Sequence, residues 1–209
     1  MAITWVTSFT GTLAADNVNT GGTTWRFGIP NADISNTGLS YVRVTCHSAS
    51  AVAWTLGNMY IGQKADSGDY YDFQAAPTQV TFSSGSAGFA IGADSTIVSD
   101  TISFSIPAGK DLIISLYGSN TSNDGIRISV AGVHSGSTYY KAGSEAATQN
   151  ATGYSLYGYY NFGIALIESG SDEAAGGTTT QYYRTQRGIE SARPTRFFYC
   201  WNKLYYLGA

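Results

Sequence analysis

Charge is scarce in this chain of 209 residues: Asp, Glu, Lys and Arg together make up 12% of it. Eleven basic residues against fourteen acidic ones leave a net charge of −3, which removes the electrostatic case for nucleic acid as a partner. Low charge does not mean disorder here, because the 43% hydrophobic content comes in strand-length pieces. Cysteine is limited to Cys46 and Cys200, too few to establish a redox compartment. Either the two are joined, tying the tail back to the body, or both are free thiols. The only histidines are His47 and His134, so a zinc site at Cys46 and His47 lacks ligands and is not expected. No apolar run is long enough to span a bilayer, and the aromatic stretch near the C-terminus is broken by Asn202 and Lys203. Met1 leads straight into strand-like alternation, without the basic start and apolar core of a secretory leader.

What the chain has instead is Gly, Ser, Thr and aromatics, including sixteen Tyr and four Trp. Hydroxyls supply the polarity that charge does not. That is the profile of an extracellular or particle-surface β protein, and bacteriophage structural proteins combine it with the lack of a leader. The virion surface is therefore the expected location, with a plain extracellular one as the alternative.

The run from Val80 to Tyr117 sets the fold class. Thr101–Ile106 alternates apolar and polar residues, Pro107-Ala108-Gly109 stops it, and Asp111–Tyr117 returns. Punctuation every eight to twelve residues predicts an all-β, antiparallel, jelly-roll-like β-sandwich with a C-terminal extension. Strands are expected at Thr4–Thr12, Thr23–Gly28, Tyr41–His47, Trp54–Gln63, Thr78–Phe82 and Gly88–Ile91. Further ones are expected at Thr101–Ile106, Asp111–Tyr117, Ile126–Val133 and Tyr157–Glu168. In the last of these, Tyr160, Phe162, Ile164 and Leu166 share one face, which should be core. That final strand is of the length that pairs beside the first in such folds. Residues 1–169 form the sandwich, 170–180 a small-residue, polar linker, and 181–209 a distinct arm. The arm sets five basic residues against Glu190 alone, net +4, whereas residues 1–170 set six against eleven, net −5.

Several short words within Tyr41–Lys141 carry a resemblance: Tyr41-Val42-Arg43-Val44, Leu56-Gly57-Asn58-Met59-Tyr60-Ile61-Gly62, Val80-Thr81-Phe82, Ile97-Val98-Ser99-Asp100, and Ile106–Leu112. This half of the chain resembles the N-terminal β-sandwich domain that precedes the catalytic domain in some SGNH (GDSL-type) hydrolases. In that family the sandwich is non-catalytic, and the chemistry belongs to a following domain with a Gly-Asp-Ser-Leu block and an Asp-x-x-His block. Neither block occurs here. The resemblance implies a detached accessory module rather than an esterase.

The candidate sites follow from residue chemistry. A Ser-His-acid triad would need a nucleophile in a defined turn, and Gly85-Ser86-Ala87-Gly88 misses the G-x-S-x-G spacing. Paired carboxylates for glycoside hydrolysis are not suggested, since most acids are loop aspartates. No enzymatic activity is expected. Asp66, Asp69 and Asp72 put three carboxylates in one turn, the hard-oxygen ligand type that holds calcium. Their spacing is not that of an EF-hand, solvated loop acids account for them better than calcium does, and no cofactor is expected. The adjoining Tyr70, Tyr71 and Phe73 point to sugar. The C–H face of a pyranose is apolar and stacks on exposed rings, and Asp or Asn accepts its hydroxyl hydrogen bonds. Asp69, Tyr70, Tyr71 and Asp72 are the candidate glycan site. Tyr139, Tyr140, Tyr154, Tyr157 and Tyr159 form a second aromatic set suited to either binding or edge packing.

The arm has the composition of an interface anchor. Phe197, Phe198, Trp201 and Tyr205 are the residues expected to bury on a partner, with Arg184, Arg187, Arg193 and Arg196 giving orientation. The chain is thus expected to be a non-enzymatic surface module of a phage or phage-like particle. A protein partner or second copy would take the arm, and a host glycan is a further partner. A stand-alone carbohydrate-binding module and a hydrolase accessory subunit are the alternatives.

Overall fold

The computed structural model describes residues 2–120, 124–172, 196–200 and 203–207, the last two by backbone alone. Strands β1 (Ile3–Thr10), β2 (Leu13–Asn17), β3 (Thr23–Ile29) and β4 (Tyr41–His47) come first. Next are β5 (Trp54–Gln63), β6 (Thr78–Val80), β7 (Phe89–Ile91), β8 (Thr96–Val98) and β9 (Ile102–Ser103). Then follow β10 (Leu112–Gly118), β11 (Ile126–Ser129), β12 (Thr138–Ala142), β13 (Ser155–Gly158) and β14 (Ile164–Asp172). Strands β15 (Arg196–Cys200) and β16 (Lys203–Leu207) close the chain. The protein is all-β and antiparallel. No helix among the described residues is long and apolar enough to cross a membrane.

Two sheets make the sandwich. The larger has the order β13-β12-β3-β10-β5-β6, with β7 also on β5; the smaller runs β1-β14-β4-β8, with β9 also on β4. The chain crosses between the sheets from β3 to β4, β4 to β5, β7 to β8 and β9 to β10, the traffic a jelly roll uses. The inward positions follow from period-two alternation. Trp25, Phe27 and Ile29 of β3, Leu112, Ile114 and Leu116 of β10, and Met59 and Ile61 of β5 meet Val42, Val44 and Cys46 of β4 in one core. The last strand of the sandwich does pair beside the first, β14 against β1. Cys46 is wholly buried in that core and has no disulfide partner among the described residues, and burial pushes its pKa up; the Cys200 side chain lies outside the described residues.

Several expectations need correction. The long strand over Tyr157–Glu168 is two strands, β13 and β14, separated by a turn. Within β14 a bulge between Ile164 and Leu166 shifts the register, so alternation resets. Ile164 and Ile167 are therefore the buried pair, and Leu166 is only half-buried. Strand β14 also runs past residue 169, the expected end of the sandwich: Gly170, Ser171 and Asp172 pair with Trp5, Thr4 and Ile3 of β1. Thr101–Ile106 is not one strand. Ile102–Ser103 alone pairs, on Val42 and Tyr41, while β8 takes the other half of the same β4 edge. Between them Ser99 bridges the gap, its N–H donating to the Val44 carbonyl and its Oγ accepting the Val44 N–H at 2.9 Å. Strands β2, β8 and β12 were not expected at all.

Gly163 shows how tightly the turn before β14 is made. It has φ of 69°, and a Cβ there would stand 2.5 Å from Ile126 and 2.9 Å from the Trp54 ring. Left-handed backbone costs a residue with a Cβ roughly 1–2 kcal/mol, and overpacking about 1–3 kcal/mol more. Gly163→Ala is expected to lose about 3 kcal/mol in urea denaturation. A loss under about 1 kcal/mol would show that Ile126 and Trp54 move aside freely.

Candidate functional site

The outer face of the larger sheet is where chemistry accumulates. Alternation that sends Trp25 and Phe27 inward sends Arg26 outward, into a cross-strand row with Ser115 of β10 and Tyr139 of β12. Arg26 is nevertheless only 1% exposed, because residues 64–77 and 143–154 fold back over it. Its guanidinium donates to the backbone carbonyls of Tyr71, Glu145 and Thr148, one chain segment on each side. Phe73 and Tyr154 lie against the guanidinium with ring centroids 4.8 and 5.0 Å away. Among the described residues Arg26 forms no salt bridge; carbonyl oxygens and two aromatic faces replace the carboxylate. Burial pushes its pKa down, but an arginine starts far above neutrality and keeps its charge.

Around that arginine the two segments are stitched together. The Phe73 N–H donates to the Gln149 carbonyl, the Ala151 N–H to Asp72 Oδ1 at 3.0 Å, and Gln149 Nε2 to the Gln74 carbonyl. Asp72 also closes its own turn by accepting the Asp69 N–H. The expected glycan site is thereby divided. Asp72 and Tyr71 are each 9% exposed; Tyr71 stacks on Tyr154 at 4.9 Å and meets Tyr139 edge-on at 5.2 Å. Burial raises the Tyr71 pKa, helped by its hydrogen bond to Asp69, 2.8 Å away. Both residues build the platform rather than present themselves on it. Tyr70, at 70% exposure, is the residue of the four that offers its ring to solvent.

The three carboxylates weighed for calcium are engaged separately. Asp66 pairs with Lys110 Nζ at 2.8 Å, Asp69 accepts the Tyr71 hydroxyl, and Asp72 binds backbone. Among the described residues no group of three His, Cys, Asp or Glu is placed to hold a metal ion.

Beside Tyr70 lies a cleft of about 130 Å³ that the loop motif alone does not reveal. Pro30 gives it apolar surface, while Ile29 borders it but turns into the core at 0% exposure; Lys64, Asp111 and Ser137 line it as well. Lys64 Nζ sits 5.0 Å from the Tyr70 ring centroid and 3.4 Å from Asp111 Oδ2. Asp111 Oδ1 accepts the Asn31 N–H at 2.9 Å, fixing the carboxylate. One wall is bare backbone: a Cβ on Gly136 would fall 1.8 Å from the Gly28 carbonyl oxygen, and the Gly28 N–H donates to Ser137 at 3.0 Å. The result is a cleft with one proline, one exposed aromatic ring and hydrogen-bonding groups of both senses around it.

The histidines are committed elsewhere. His134 is buried, accepts the Thr12 N–H on Nε2 at 3.2 Å and packs on Phe9 at 5.1 Å. His47 ends β4, with Nε2 3.5 Å from Asp94.

The C-terminal segment forms a compact unit of its own, residues 176–209. Within it β15 and β16 pair as a hairpin, Phe198 opposite Tyr205 and Phe197 opposite Tyr206. Of the expected docking residues, Arg196, Phe197, Phe198 and Tyr205 lie in these strands, while Arg184, Arg187, Arg193 and Trp201 lie outside the described residues. No family model and no curated protein matches the chain.

Proposed function

We propose that the chain is a non-enzymatic surface module of an assembled particle, of phage or phage-like type. Its sandwich faces outward toward a host glycan, and its C-terminal arm docks on a partner subunit. The observation that carries this reading is the separate C-terminal hairpin. A two-stranded hairpin is at best marginally stable in water, and this one contains Phe197, Phe198, Tyr205 and Tyr206. Burying those rings on a partner is what makes such an element worth having. The Tyr70 cleft supports the glycan part: it has room for one sugar ring, a face to stack on and polar groups for hydroxyls.

The test compares the solution mass of residues 1–209 with that of a chain ending at Asp172, where β14 ends. The full chain is expected to be oligomeric and the shorter one a folded monomer. Two monomers of equal thermal stability would overturn docking between copies, and a shorter chain that fails to fold would make the hairpin part of the sandwich. For the cleft, Tyr70→Ala is expected to weaken retention on a bound polysaccharide about tenfold, the loss of one aromatic contact of roughly 1.4 kcal/mol. Unchanged retention would remove Tyr70 from the site.

A further inference from the structure

The second aromatic set yields a site of its own at the free edge of the larger sheet. Tyr140 pairs in register with Trp25, so it projects from the inner face of β12 beside a core residue. Yet Tyr140 is 39% exposed and Tyr157 of the edge strand β13 is 42% exposed, against 4% for Trp25. At this edge the inner face of the sheet emerges into solvent.

The two rings are held, not loose. Tyr140 lies 5.4 Å from Trp25, and Tyr157 meets Trp25 and Phe162 edge-on, each at 5.2 Å. Tyr157 and Tyr140 stand perpendicular to one another at 6.2 Å. The Tyr157 hydroxyl accepts a hydrogen bond from Asn17 Nδ2 at 3.3 Å. Among the described residues, the partners of the two rings are uncharged: Trp25, Phe162 and the Asn17 amide, whose Oδ1 also accepts the Asn19 N–H at 3.1 Å. Asp16 projects from the opposite side of β2 and is occupied by Arg127 and Ser50.

From this geometry we infer that Tyr140 and Tyr157 form a second carbohydrate subsite, which takes a neutral sugar ring. The inference rests on the carbohydrate-binding reading given above. Perpendicular rings suit a pyranose, one stacking on its C–H face and the other closing against its edge, with the Asn17 amide and tyrosine hydroxyls reaching its hydroxyl groups. Patch size argues against a protein. Taking ~200 Å² for a tyrosine side chain, the exposed fractions leave roughly 80 Å² per ring, far below the ≈ 800 Å² per partner of a stable protein interface. Uncharged partners argue against an anionic sugar.

The experiment uses the full chain in affinity gels containing an amylose, a mannan or a β-1,3-glucan. Wild type is compared with Tyr70→Ala and with Tyr140→Ser combined with Tyr157→Ser. The double variant is expected to lose about tenfold in retention on the polysaccharide that holds wild type, and Tyr70→Ala to lose independently of it. Because Tyr157 also packs on Trp25, nitration of native protein by tetranitromethane, read by mass spectrometry, provides a measurement without substitution. Saturating polysaccharide is expected to slow nitration of Tyr140 and Tyr157 at least fivefold. Protection of Tyr70 alone, with Tyr140 and Tyr157 nitrated at the free rate, would overturn the second subsite and leave the glycan reading standing. Protection of the pair by raising protein concentration, without sugar, would make the patch a contact between copies and also overturn it. No retention of wild type in any gel would overturn the glycan reading and the subsite with it.

Discussion

Arg26→Met is expected to destabilise the sandwich by about 4 kcal/mol. Methionine keeps aliphatic volume between Phe73 and Tyr154 but donates nothing, leaving the carbonyls of Tyr71, Glu145 and Thr148 without their buried donor. A net hydrogen bond to a charged group contributes roughly 1.5–3 kcal/mol, and an orphaned buried acceptor adds its own desolvation cost. For a protein of this size such a loss lowers the melting midpoint by roughly 10 °C. Arg26→Lys should rescue little, since one ammonium cannot reproduce the fork that reaches both chain segments. On the proposed glycan reading the same variants also weaken polysaccharide retention, because Tyr70 stands on the platform that Arg26 holds. Urea denaturation of the three proteins checks the claim. A loss under about 1 kcal/mol for Arg26→Met would mean that apolar contacts alone hold the two segments down.

A pH ramp comes from Asp124. Its carboxyl is 2% exposed; Oδ1 accepts the Thr55 N–H at 2.6 Å, and Oδ2 has no hydrogen-bond partner. Burial raises its pKa from 3.8 to about 6, against the opposing pull of the Thr55 bond. Between these two values the folded protein keeps a proton that the unfolded chain has released. The stability from this group is therefore complete below the unfolded value and lost as pH rises through the folded one. The loss amounts to roughly 2–3 kcal/mol across that window. Asp124→Asn keeps the acceptor for Thr55 and removes the charge. It is expected to be more stable than wild type at pH 7.5 and to lack the ramp between pH 4 and pH 7. Asp100 titrates in the opposite sense, held low first by the Ser84 N–H, but it is common to both proteins and cancels in the comparison. Parallel curves for wild type and variant would show that Asp124 ionises freely in the fold.

The candidate site was legible in part. Tyr70 and the acidic turn stand out as residues, and Tyr139, Tyr140, Tyr154 and Tyr157 as a set. Their division into platform and surface was not, because it depends on Arg26, which reads as an unremarked polar position of an alternating strand. The Thr148 carbonyl that Arg26 binds is 122 positions away, and the Tyr71 carbonyl 45. The Tyr70 cleft was equally hidden, since its lining joins Lys64, Asp111 and Ser137 from three separate parts of the chain.

Local alternation carried the fold a long way. Tyr41–His47 and Trp54–Gln63 stand at their expected bounds, because a strand's inward and outward positions are set by its own residues at period two. Alternation misleads where the partner strand intervenes. The bulge before Leu166 puts Ile167 into the core, and a bulge is a mismatch between two strands that neither shows alone. Ile102 to Ile106 has a strand's pattern, but Ser103 already lies opposite Tyr41, where β4 begins, so only two residues find partners. The sequence by itself determined the all-β class, the main strands and the contrast between an acidic body and a basic-aromatic tail, since these are sums over neighbouring residues. Which side chains reach solvent was decided only by the tertiary structure, because burial is fixed by what folds over a residue from far along the chain.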